Sequence, residues 1–183
     1  DSFLRISPDN STQASGNLNG FGLTVSDYFT PYNEQSLADA DADLGSGGSL
    51  LLPAQAGVPR ELVGSGKQGI VYLVNADNMG HKGSGSDTGR VIQEINLGHG
   101  NFDSPAYFNS AIYYHGVGDV LKKFNVLADG TLSPAPAAQA VISYSGQGAT
   151  PSVSANGTAN GIVWDIQYDG THEVLHAYDA ATL

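Results

Sequence analysis

The chain has 183 residues, 40% of them hydrophobic and 14% charged, with a formal net charge of −11 at pH 7. Its seven Lys and Arg residues are scattered along an acidic chain, which makes DNA, RNA and anionic membrane poor partners, because phosphate contacts need clustered cations. The absence of cysteine excludes disulfides and thiolate metal sites, and no apolar run approaches the ~18 residues of a membrane span. Glycine, with 24 residues, stands well above its usual ~7% and describes a turn-rich, folded chain of one domain or a piece of one. The acidity fits solubility, cation binding or a basic partner. No signal peptide opens the chain; Asp1-Ser2-Phe3-Leu4 reads like the interior of a fold, so an export signal would lie upstream.

In chain order, residues 3–6 and 21–25 read as two strands joined by a polar loop over 7–20. Residues 34–42 carry the one helix-friendly composition and predict a short helical turn. The glycine-rich stretch 44–53 predicts an inner strand approached closely by its neighbours. Residues 61–78 then form a clear hairpin signal: Leu62-Val63 and the β-branched, aromatic run 70–74 flank the polar turn 64–69. An alternating run follows at 90–97. Beyond it, strands are expected at 111–117, 120–126, 161–168 and 174–180, with a proline-broken outer strand at 132–139.

These segments repeat. Ser104-Pro105 returns as Thr150-Pro151 at an offset of 46, and Val74-Asn75, Phe124-Asn125 and Tyr178-Asp179 recur at steps of 50 and 54. A period near 50 with four short strands per unit predicts an all-β β-propeller of four-stranded blades; the alternative is a β-sandwich with coincident turn spacing. The expected units are a partial blade over 1–44, blades over 45–97 and 98–141, and a partial blade over 142–183. The motif Gly66-Lys67-Gln68-Gly69, continuing through Asn75, Asp77 and Gly80, resembles the glycine-lysine-x-glycine blade motif of quinoprotein-type (pyrroloquinoline quinone-like) β-propellers. The runs 104–109 and 150–164 resemble a secreted bacterial branch of that superfamily, which implies an extracellular or periplasmic location. Propellers of this kind close with about six to eight blades, within the general range of four to eight. About three to four blades leave two bare faces, so the reading expects copies to complete a ring, a dimer being simplest; a fragment of a longer propeller is the alternative.

On this reading one rim collects Asp39, Asp41 and Asp43, His99 and Asp103, Lys67, His115 and Asp119, and Asp169, His172 and Glu173. Imidazole and carboxylate together suit a divalent cation such as Zn, Mn or Ca, so His99, Asp103, His115 and His172 are the candidate metal ligands, with Lys67, Asp103 and Asp119 as candidate catalytic groups. Each has a plainer reading: a solvated acidic loop for 39–43, a mobile surface residue for His99, a hydrogen-bonded core residue for His115. His176 is expected to be structural, and His81 falls on the opposite face. The resemblance places Lys67 near a quinone cofactor, but a quinone is not expected: the chain lacks a vicinal cysteine pair and has a single tryptophan, Trp164. No nucleophile elbow or phosphate-cradling loop is present. The patterns at Asn10 and Asn156 match glycosylation acceptors, a weak signal.

Three functions follow. The leading one is a non-catalytic scaffold that binds a small-molecule ligand or a partner. The second is a metal-dependent hydrolase of phosphate esters or lactones, in which a cation at the axis would activate water. The third is a quinone-dependent oxidoreductase.

Overall fold

The structure is a computed structural model that describes residues 1–8, 22–168 and 170–183. Phe21, Asp169 and the Asn10 pattern lie outside the described residues. The elements are β1 (Phe3–Pro8), β2 (Leu23–Thr30), α1 (Glu34–Asp39), a 3-10 turn (Leu44–Ser46), β3 (Ser49–Leu51), β4 (Glu61–Ser65), β5 (Ile70–Asn75), β6 (His81–Lys82) and β7 (Gln93–Asn96). They continue as β8 (Ala106–Phe108), β9 (Ala111–Tyr114), β10 (Val120–Asn125), β11 (Ala138–Ser143), β12 (Ser152–Asn156), β13 (Ala159–Tyr168) and β14 (Glu173–Asp179).

The chain is all-β, and among the described residues the strands form four separate sheets, β1-β2-β6, β3-β4-β5-β7, β8-β9-β10-β11 and β12-β13-β14, with β6 crossing back from the second segment to the first sheet. Apart from β6, which runs parallel to β2, every pairing is antiparallel. Four sheets of three or four strands are not the two-sheet sandwich that was the alternative.

Side-chain alternation explains how they pack. Successive residues of a strand point to opposite faces, and the middle strands are apolar on both. In β5, Val71 and Leu73 join Ile112, Tyr114 and Phe124 of the third sheet, while Tyr72 and Val74 join Phe3 and Phe29 of the first. In β9 the same split recurs: Ile112 and Tyr114 face the second sheet, whereas Ala111 and Tyr113 pack with Val163 and Ala180 of the fourth. A continuous apolar run is what a strand covered on both faces requires. The sheets therefore stack face to face, the second and third each buried between two neighbours.

Four details depart from the sequence reading. The second strand continues to Thr30, with Asp27 buried opposite Arg5 and accepting the Met79 and Tyr28 N–H groups at 3.0 and 2.9 Å. β6 adds an unexpected third strand to the first sheet, and His81 thereby reaches Asp27 at 3.0 Å and stacks on Tyr28. The expected strand over 132–139 instead forms at Ala138–Ser143, running through position 141. Pro134 and Pro136 lack ladder donors, so the preceding segment docks by Leu132, whose N–H and C=O are both held by the Gln93 amide at 2.7 and 2.9 Å. The helix is shorter than expected, ending before Asp41, whose φ of 53° is left-handed. The glycine stretch does behave as a closely approached inner segment: a Cβ on Gly47 would lie 2.0 Å from the Ser65 carbonyl oxygen.

Candidate functional site at the hairpin ends

The turns β4–β5 and β9–β10 lie at the same end of their sheets as the loops entering β3, β8 and β12. Backbone bonds sew these together. Lys67 N–H donates to Asp43 C=O and Gly48 N–H to Asp103 C=O, both at 3.0 Å; Asn101 N–H reaches Gly66 C=O, Val117 N–H reaches Gly100 C=O, and Gly118 N–H reaches Gly146 C=O at 3.0, 2.8 and 3.1 Å. Each hairpin thus bonds the loop that opens the following sheet. Gly69 shows why the turn needs glycine: its φ is +76°, and a Cβ there would stand 2.4 Å from the His99 carbonyl oxygen.

Within this rim the sequence-derived candidates separate into two groups. Lys67 bonds Asp43 at 2.8 Å and Asp41 at 3.0 Å, with its ammonium 6.0 Å from the Phe102 ring. The hydrogen bond to Asp43 raises the lysine and lowers the aspartate from their ordinary ranges. Lys67 is thus tied to the acidic loop of its own sheet. Asp39 accepts a bond from Gln35 instead.

The second group surrounds His115, which is wholly buried. Its Nε2 lies 2.9 Å from the Asp119 carbonyl oxygen, and its Nδ1 lies 2.5 Å from Asp165 Oδ2. A carbonyl only accepts, so Nε2 carries a proton, and the Nδ1–Oδ2 contact shares a second one. The Tyr144 ring covers the imidazole with centroids 4.0 Å apart. Asp103 stands beside this pair. Burial, and then repulsion from Asp165, push its carboxyl up to about 8. Burial likewise raises the phenols of Tyr114 and Tyr144. Asp103 Oδ2, Asp165 Oδ1, the Tyr114 hydroxyl, Asn101 Oδ1 and Ser65 Oγ are all buried without a protein partner. Uncompensated polar atoms of this kind are uncommon in a folded interior.

At the margin, the Asp119 carboxylate bonds Lys122 at 2.5 Å and lies 3.9 Å from His99 Nε2, while His99 Nδ1 donates to the Val117 carbonyl at 2.9 Å. The structure therefore brings Asp103, His115, Asp119 and His99 to one place. His172 does not join them. It sits beyond the Tyr168–Glu173 pair, more than three register positions past Asp165, which is roughly 10 Å at ~3.3 Å per residue. Among the described residues no group of three or more His, Asp or Glu side chains is set to hold a metal ion. The chemistry agrees, since both ring nitrogens of His115 are engaged by the protein. His176 is structural, bonding Gln167 at 2.9 Å and stacking on Tyr144 and Tyr178.

Asp165, Tyr144 and Lys122 escaped the sequence reading. For Asp165 a signal existed: it shares the inward parity of Val163 on an apolar strand, where a lone carboxylate must find a partner. Asp165 and His115 come from different sheets, so their pairing joins the third sheet to the fourth. Two grooves among the described residues lie away from His115, one of them lined by Lys122, the partner of Asp119. One of about 200 Å³ is lined by Phe108, Tyr113, Lys123 and Asp179, at the end of β9 opposite His115. Another of about 360 Å³ runs between Ile95, Leu97, Phe124 and Pro136 of the second and third sheets. Comparison with protein-family models, curated proteins and solved structures finds no match to this chain.

Proposed function

We propose that the chain is an arc of a β-propeller of the quinoprotein-like kind and works as a non-catalytic scaffold that binds a partner through its end faces. The repeat near 50 residues and the succession of face-packed meanders, hairpins at one rim, support the propeller reading. Fold carries little about activity, so the functional reading rests on one observation. Titratable side chains at the rim are engaged with one another and with backbone, whereas the outer faces of the first and last sheets leave large apolar side chains in solvent, Leu175 at 62% and Ile166 at 55% among them. Buried imidazole and carboxyl groups bonded to one another and to backbone serve packing; exposed apolar faces serve association.

The competing hydrolase reading gives the test. Purified protein is assayed on phosphate-ester, carboxylic-ester and lactone substrates, with and without added Zn²⁺ or Mn²⁺, beside the Asp103→Asn and His99→Ala variants. The expected result is no turnover under any condition. Metal-stimulated turnover that either variant abolishes would overturn the scaffold reading.

A further inference from the structure

The outer edge of the third sheet is irregular, and the irregularity makes a groove. Ser133 N–H bonds the Asn125 carbonyl at 2.8 Å, and Ala137 N–H bonds the Lys123 carbonyl at 2.7 Å. Four steps along the outer segment thus span two along β10, so Pro134, Ala135 and Pro136 arch away from the strand. Neither proline has an N–H to draw the arch back to the ladder. The arch is nonetheless braced. Ser133 Oγ donates to the Ala135 carbonyl at 2.9 Å, the proline rings fix φ, and the Gln93 amide holds Leu132 at the base. Between this wall and β7 runs the groove of about 360 Å³. That volume lies within the range of small-molecule pockets, and a wall ordered beforehand lowers the entropy cost of binding.

The groove floor is apolar: Ile95, Leu97 and Phe124 line it, each less than a tenth exposed. Two polar side chains border it, and the strand register sets them side by side, Lys122 opposite Gln139. The Lys122 ammonium gives one N–H to the Asp119 carboxylate at 2.5 Å and a second to the Leu97 carbonyl at 3.4 Å. An ammonium has three donors, so one remains for the groove. The Gln139 amide has no protein partner among the described residues. Neither group favours a charged guest. Asp119 already neutralises Lys122, and the chain's net charge of −11 opposes an anion. No acidic side chain among the described residues lines the groove to receive a cation. We propose that this groove is a binding site for a small uncharged molecule with an apolar body and a carbonyl oxygen. The body lies against Ile95, Leu97 and Phe124, and the oxygen accepts from Lys122 and Gln139. The site is separate from the end faces of the scaffold reading and does not rest on it.

The experiment is a titration of the isotope-labelled chain with acetophenone, benzoate and benzylammonium, followed by amide chemical shifts. These are benzene derivatives of similar size that are uncharged, anionic and cationic. The samples are wild type, Ala135→Trp, which fills the groove from the exposed arch, and Gln139→Leu, which removes a donor at an exposed position. The spectra themselves show whether each variant folds. Acetophenone is expected to shift Ile95, Leu97 and Phe124 saturably at millimolar concentration, with the two ions binding about tenfold more weakly. Ala135→Trp is expected to lose the shift, and Gln139→Leu to bind several-fold more weakly. The inference is overturned if acetophenone does not saturate, or if either ion binds as tightly. It is equally overturned if the same shifts survive Ala135→Trp, or if the affinity is unchanged in Gln139→Leu. Should Ala135→Trp not fold, the charge series and Gln139→Leu decide. None of these readouts depends on association or on ester turnover, so failure here is distinguishable from failure of the scaffold reading.

Discussion

Replacing Asp103 with Asn should make the protein more resistant to alkaline conditions. Burial and the neighbouring Asp165 raise the carboxyl from 3.8 to about 8, so the native chain holds this proton more tightly than the unfolded chain does. For an acid raised in the folded state, its contribution is at its most favourable below about pH 4, falls as pH rises toward about 8, and levels off above. A rise of about four units corresponds to on the order of 5 kcal/mol at ~1.4 kcal/mol per unit. That is an upper bound, because the interior relaxes and admits water around a buried charge. Asparagine keeps the shape, stays neutral, and offers an NH₂ group where the Tyr114 hydroxyl and Asp165 Oδ1 lack partners. Urea unfolding followed by circular dichroism at about pH 5, 7 and 9 reads the effect. The stability difference, variant minus wild type, should be small at the lowest pH and grow to a few kcal/mol at the highest. A difference that stays flat across the range, or a variant that is the less stable at the highest pH, would refute the assignment of a buried, proton-holding carboxyl.

Other substitutions probe the remaining joints. Glu61 is buried with Oε1 unpaired, and burial together with Asp129 raises it to about 7. The sign is the same, so Glu61→Gln should gain about 2 kcal/mol above neutral pH and little near pH 4.5, measured by the same denaturation series. Leu73 is wholly buried in the joint between the second and third sheets, and Leu73→Ala should cost about 2–5 kcal/mol by thermal or urea unfolding. Gly69→Ala places a Cβ against the His99 carbonyl at positive φ and should cost on the order of 1–3 kcal/mol. It should also speed amide exchange at Leu97, whose N–H bonds the Gly69 carbonyl at 2.8 Å.

Much of the architecture could be read before any coordinates. The 61–78 hairpin, the apolar runs of β5 and β9, and the recurrence of Ser104-Pro105 at Thr150-Pro151 depend on short-range alternation and turn chemistry, which are local properties of a chain. The elements that escaped are those whose hydrogen bonds go to distant partners. β6 is a two-residue strand that exists because β2 offers it a parallel edge, and β11 forms late because Leu132 and Gln93, 39 positions apart, hold the preceding segment. No local pattern encodes either.

The rim divides the same way. Composition and hairpin spacing placed Asp103, His115 and Asp119 near one end of the sheets. Whether such groups meet a cation, a substrate or one another depends on side chains arriving from a different sheet. Asp165 reaches His115 across fifty positions, and with both imidazole nitrogens bonded to protein the histidine becomes part of the packing. What the sequence by itself determined was the repeat, the strand-by-strand alternation that makes each inner sheet apolar on both sides, and the net charge of −11. Only the tertiary structure decided which buried carboxylate meets which imidazole, because that outcome depends on the order in which whole sheets come to lie against each other.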